Sequence, residues 1–250
     1  MSRLVATAVG LAAMLVPALA AAQRGGDGGS PLSVLMLLAA LSILPFVLVM
    51  ITSFVKIAVV LSILRSALGT PQIPPTLVIT GLSVILTVYV MAPTGAKVHE
   101  AVKPVLEQRQ GREASLLSGA GAEALYEAAL RAKEPVREFL VKHSRPRDRA
   151  MFRDLARRLR PASQRGAVAE SDLLVVVPAF VIGQLAAAFQ IGFLLFVPFL
   201  IIDMVVANIL LALGMHMLSP TTVSLPFKLL LFVLVDGWYL LTQGLVMSYA

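Results

Sequence analysis

Long apolar runs, each closed by proline or glycine, flank a single polar block in the middle of the chain. From Pro31 to Leu68 only Lys56 and Arg65 interrupt the run, and Pro45 is a place for a kink. At 69-GTPQIPP-75 the glycine and prolines impose a turn. Thr76 to Met91 then reads as a second helix, ended by Pro93 and Gly95, so residues 33–96 form a first helical hairpin. Residues 97–172 are a polar insert. Within it, 109–123 reads as linker and 123–143 as a helix broken before Pro135. The stretch 148–160 places Met151, Phe152, Leu155 and Leu159 on one helical face, a stripe expected to pack into a core.

The next 46 residues, Leu173 to Leu218, contain no lysine or arginine. As one helix they would extend about 69 Å, against a hydrocarbon core of about 30 Å. Segment 173–218 is therefore expected to break, at Pro178, Gly192 or Pro198. After 219-SPTTVSLP-226 a last apolar helix, Phe227 to Met247, occupies most of segment 221–250.

Residues 1–22 have the signal-peptide pattern: Arg3, an apolar core, then small residues at Ala18, Ala20 and Ala22. A Gly-rich linker, 23–32, follows. Cleavage would leave residue 23 outside the cytoplasmic membrane, and two crossings would return the insert to that periplasmic side. The excess of Lys and Arg in cytoplasmic loops argues for the reverse, but that rule loses force above about 60 residues. The insert is longer.

Composition agrees with a membrane protein: 58% hydrophobic, 14% charged, mean hydropathy +0.87. There is no cysteine, hence no disulfide or thiolate chemistry, and His99, His143 and His216 lack metal-ligand spacing. A net charge of +7 raises nucleic acid as a partner. However, 16 of the 21 Lys and Arg fall between Lys97 and Arg165, with few aromatics among them. That is a solvated helix surface, and no nucleic-acid partner is expected. No Walker loop, G-x-S-x-G or metal motif is present, so neither an enzyme nor a cofactor is expected.

Five charges lie inside the apolar runs: Lys56, Arg65, Asp203, Lys228 and Asp236. Each costs about 2.5–3.5 kcal/mol at mid-membrane on insertion scales. Lys228 and Asp236 stand two turns apart, about 12 Å along a helix axis, too far to pair. Asp203 and Asp236 fall at similar depth on an antiparallel pair, where two carboxylates cannot neutralise each other unless one is protonated. Partners must come from another helix or another subunit. Gly183 with Ala187, and Ala188 with Gly192, are small-xxx-small pairs that let helix backbones approach. Together these features describe segments solvated by protein in an oligomer.

The stretches 52-TSFVKIAVVLSILRSALGTPQIPP-75, 135-PVREFLVKHSRPRD-148, 178-PAFVIGQLAAAFQIGFLLFVPFLIIDMVVANILLALGM-215 and 224-SLPFKLLLFVLVDGW-238 resemble the FliP/SctR (YscR) family. That family is a core export-gate subunit of bacterial type III secretion, in flagella and injectisomes. The resemblance runs from about residue 33 to the end of the chain. It implies an all-α, membrane-associated subunit of long apolar helical hairpins with a small helical insert, assembling into a ring-like or helical oligomer. Implied partners are copies of the chain in a pentamer, FliQ/SctS and FliR/SctT type subunits, and unfolded polypeptides exported through a pore. The implied place is the bacterial cytoplasmic membrane, in the flagellar case the basal body.

The resemblance also implies roles for residues. The family's usual Glu, thought to pair across subunits with the Lys of the LPFK motif, falls at Gln184, and that Lys is Lys228. Here Gly183-Gln184 replaces Ser-Glu. A glutamine accepts a hydrogen bond from an ammonium but cannot neutralise it, so Asp203 and Asp236 are alternative partners for Lys228. Gln184, Lys228, Asp203, Asp236, Lys56 and Arg65 are thus the candidate inter-subunit polar contacts. The loop 214-GMHMLSP-220 matches the family's methionine gasket, with Met215, His216 and Met217 as the gate. Flexible, polarisable methionines can seal a pore and re-pack around substrates, and His216, in place of a methionine, can charge at low pH. Two rival readings are a stand-alone secondary transporter, which lacks the expected repeat, and an intramembrane aspartyl protease using Asp203 and Asp236. The latter lacks the Tyr-Asp and Gly-x-Gly-Asp settings of such enzymes.

Overall fold

In the computed structural model the described residues are 39, 42–43, 45–70, 74–107, 119–161, 166 and 168–250. The expected signal peptide at 1–22, the linker at 23–32 and most of the linker at 109–123 lie outside them. Among the described residues the long elements are all α-helices and none is a strand. They are α1 (Phe54–Ala67), α2 (Thr76–Glu107), α3 (Gly119–His143), α4 (Pro146–Leu159), α5 (Leu173–Ala212), α6 (Pro220–Leu234) and α7 (Gly237–Met247). The chain divides into two compact units, residues 1–44 with 100–132 and residues 45–99 with 133–250. In the first, the described helical stretches carry the exposed i,i+4 pairs Lys103–Glu107 and Arg131–Glu127. Such pairs contribute about 0.3–0.5 kcal/mol each.

The second unit holds two apolar cores. In one, Ile57, Val60, Leu61 and Leu64 of α1 pack with Ala188 and Phe199 of α5, Phe232 of α6, and Leu241 and Leu245 of α7. In the other, Phe139 and Leu140 of α3 meet Val176 and Phe180 of α5 and Tyr249, which follows α7. The contact of α1 with α5 is close because residue 192 has no side chain. A Cβ there would stand 2.4 Å from Ile63 Cδ1 and 2.9 Å from its Cγ2.

Several expected breaks are absent. α5 is one helix of 40 residues, about 60 Å long, and it runs through Pro178, Gly192 and Pro198. α2 continues through Pro93 and Gly95 for 32 residues, and α3 runs through Pro135. A proline inside a helix removes one hydrogen bond and costs about 3 kcal/mol. Ending the helix in apolar surroundings would strand up to four carbonyls, each costing more than water-exposed ends do. Beyond Pro135, burial of Phe139 and Leu140 holds α3 together.

One break is present where none is expected. The C-terminal helix is two helices, α6 and α7, bent by 62°. Asp236 takes a left-handed conformation at φ 51, and a Cβ on Gly237 would lie 2.3 Å from the Phe232 ring. The ring occupies the space of the missing side chain and fixes the bend.

The apolar stripe of α4 also differs from expectation. Met151 is 45% exposed, Leu155 44% and Leu159 87%, and no α4 residue is fully buried. α4 meets α5 through its first turn, where Asp148, one turn before Met151 and Phe152 on the same face, lies over Gly183, and Arg145, just before α4, bonds Gln190 at 3.0 Å. Among the described residues two helices, 76–105 and Leu173–Ala212, are long and apolar enough to cross a membrane, or three if the bent α6–α7 pair counts as one span.

Candidate functional site

α5 and α6 pack as a hairpin, and a buried ion pair joins them. Lys228 on α6 is 2% exposed, and its Nζ lies 2.6 Å from Asp203 Oδ2 on α5. The same ammonium donates to the Ala67 carbonyl at 3.2 Å. Ser224, one turn before Lys228 on the same face of α6, donates to the other carboxylate oxygen of Asp203. Both oxygens are thus satisfied, as a buried carboxylate requires. Ala67 ends α1, where unpaired carbonyls attract a cation. Gly69 makes room: at φ 79 it turns the chain away from α1, and a Cβ there would stand 3.6 Å from Lys228 Nζ. One lysine therefore fastens α6 to α5 and to the end of α1.

The hairpin presents a loop at its tip. Gly214, at φ 73, closes α5 in a Schellman motif, with its own N–H bonding Leu211 O at 3.0 Å and that of Met215 bonding Leu210 O at 2.9 Å. Ser219 then precedes Pro220, the first residue of α6. Between these two helix ends the side chains point outward. Met217 is 99% exposed, Met215 47% and Leu218 49%, with His216 exposed between the methionines. An apolar tip held by a Schellman cap and a buried ion pair is well suited to meet another apolar surface.

Of the other polar residues singled out in the apolar runs, Gln184, Lys56 and Arg65 have hydrogen-bond partners within the chain. Gln184 is 5% exposed; its Nε2 donates to the His143 carbonyl and its Oε1 accepts from Tyr249 Oη, both at 2.8 Å. Lys56 Nζ donates to Ser248 Oγ at 3.1 Å and lies 3.8 Å above the centre of the Tyr249 ring. Arg65 donates to Thr76 Oγ1 at 2.8 Å. Asp236 is exposed at the α6–α7 bend. Gln184 and Lys228 thus belong to separate networks.

Of the small residues, Gly183 is buried under Asp148, Ala188 lies in the first core and Gly192 under Ile63, while Ala187 is half-buried. Ser224, His143, Ser248 and Tyr249 were not legible as partners. Only Ser224 had a signal, its spacing of four from Lys228.

The chain matches the sequence model of the FliP family over residues 37–245, which takes in α1, the insert, the stapled hairpin and its loop. The chain belongs to the FliP family. It is 44% identical to the Yop proteins translocation protein R of Yersinia pestis over 218 residues, 87% of this chain and 96% of that protein. It is 43% identical to the flagellar biosynthetic protein FliP of Bacillus subtilis over 221 residues, 88% of this chain and 92% of that one. The virulence protein YscR of Salmonella typhimurium is 44% identical over 222 residues, 88% of this chain and 98% of that protein. Lys228, Asp203, Ser224 and Gln184 fall inside the matched range, and Ser248 and Tyr249 lie beyond it.

Proposed function

We propose that this FliP-family chain is a core, non-enzymatic subunit of the type III secretion export gate in the bacterial cytoplasmic membrane, with its insert on the periplasmic side. Copies of the chain, in a pentamer, join FliQ/SctS and FliR/SctT type subunits around a pore for unfolded polypeptides. Met215, His216 and Met217 line its narrowest point as a gasket. Relatives named for flagellar biosynthesis and for Yop translocation support the export role.

The observation that carries the gasket is the tip of the α5–α6 hairpin, where Met217 is 99% exposed on a loop held by a Schellman cap and a buried ion pair. A fully exposed methionine on a rigid support is costly in water but useful where several copies meet and close on one another. Asp203 is already engaged by Lys228 and Ser224, which leaves no free carboxylate pair for the protease reading.

The expected result of replacing Met215 and Met217 by alanine is an ion leak across the membrane in cells assembling the complex, with export retained. Membrane tightness equal to that of the parent overturns the gasket role.

A further inference from the structure

The two cores of the second unit are bridged, at the C-terminal side, by one residue. α7 contributes Leu241 and Leu245 to the core it shares with α1 and α5, whereas Tyr249, one turn on, belongs to the core built on α3. Tyr249 is 7% exposed and is held on every side. Its ring stacks on Phe139 at 6.2 Å, takes the edge of His143 at 5.2 Å and carries the Lys56 ammonium at 3.8 Å. Its hydroxyl donates to Gln184, whose amide in turn holds the end of α3 at the His143 carbonyl. Ser248 adds the bond to Lys56.

We infer that Ser248 and Tyr249 form a strap that fastens the end of the polar insert to α1 and α5, and that protonation of His143 releases it. His143 is the weak point because of the charges around it. Lys142 precedes it on α3, Lys56 reaches in from α1, and Arg145 follows it, its guanidinium set toward Gln190. Lys97 and Glu138 share a cavity of about 150 Å³ with His143 and Tyr249, but they are paired with each other at 2.9 Å. A charged imidazole would therefore be a further cation beside Lys56 and Lys142, with the carboxylate lining that cavity already paired to Lys97.

Burial, and then Lys142 and Lys56, hold the His143 imidazole down at about 4, from an ordinary value near 6.5. The sign follows from that direction. Above about pH 6.5 the ring is neutral whether the strap is closed or open, and the hold is complete. As pH falls from about 6.5 towards 4 the open state takes up a proton that the closed state resists, and the hold is lost.

The chain has no cysteine, so a single spin label on an Ala250→Cys variant of the full chain, in lipid nanodiscs, reports the strap directly. The expected result is an immobilised label at pH 7.5 and a severalfold rise in its mobile fraction as pH falls from about 6.5 to 4, with helix content by circular dichroism unchanged. His143→Phe, with His143→Gln as a second neutral side chain, is expected to keep the label immobile throughout. A label that stays immobile in the parent at pH 4, or one mobilised equally in the neutral variants, overturns the switch. So does loss of helix content at the same pH, because the release would then be unfolding. None of these readouts depends on export, so the strap and the export role fail separately.

Discussion

Replacing Asp203 by leucine is expected to destabilise the chain by about 3–5 kcal/mol, because Lys228 would remain buried without its counter-charge. Lys228→Met alone is expected to cost less, since Asp203 is 22% exposed by side chain and can draw on Ser224 and water. The double variant should recover most of the loss. A buried pair exchanged for apolar side chains of similar volume is often neutral or better, because the desolvation penalty goes with the charges. The recovery separates the pair from a general intolerance of position 203. Thermal unfolding of the purified chain in detergent measures all three. A Lys228→Met, Asp203→Leu double variant as unstable as Asp203→Leu alone would mean that Lys228 is not balanced by Asp203.

The second large effect is steric. Gly192→Ala is expected to cost about 1–3 kcal/mol, and Gly192→Leu more, since three Ile63 atoms lie between 2.4 and 3.1 Å from the position of a Cβ there. The closest blocking atoms, Cδ1 and Cγ2, sit on the two arms of the β-branched Ile63 side chain, so the stiff side chain does not easily clear both by a rotamer change. Ile63→Ala combined with Gly192→Ala should restore much of the stability and the close approach of α1 to α5. If Gly192→Ala alone leaves the unfolding temperature unchanged, the two helices do not meet at that point.

The all-helical class was legible because long apolar runs leave the backbone no other way to satisfy its hydrogen bonds. The helix ends were less legible. Pro178 and Pro198 are local signals overridden by the cost of stranding several carbonyls in an apolar run, and Pro135 is overridden by the burial of Phe139 and Leu140 beyond it. At Asp236-Gly237 the opposite occurred: an Asp-Gly pair is a strong turn signal, yet its apolar flanks made it read as part of a span. Its meaning depends on Phe232, whose ring needs the space beside Gly237.

The buried charges were recognisable as unsolved within any single helix, and Asp203 was one of the partners open to Lys228. Axial spacing says nothing about which side chains face one another across helices. It therefore could not show that Ser224, Asp203 and Lys228 converge, or that Gln184 turns to Tyr249. The α4 stripe shows the same limit. Met151, Leu155 and Leu159 form an apolar face by period, but the contact with α5 lies at Asp148, at the N-terminal end of that face, and the three apolar side chains stand exposed.

The central claim is that several copies of the stapled α5–α6 hairpin bring their methionine loops together at one pore. A Met217→Cys variant, the sole cysteine in the chain, tests it by oxidation in the assembled complex. Loops that converge should trap most of the chain as disulfide-linked dimers, whereas a control cysteine at Leu159, 87% exposed on the insert, should not. Chains that remain monomeric at position 217 under oxidation would contradict it.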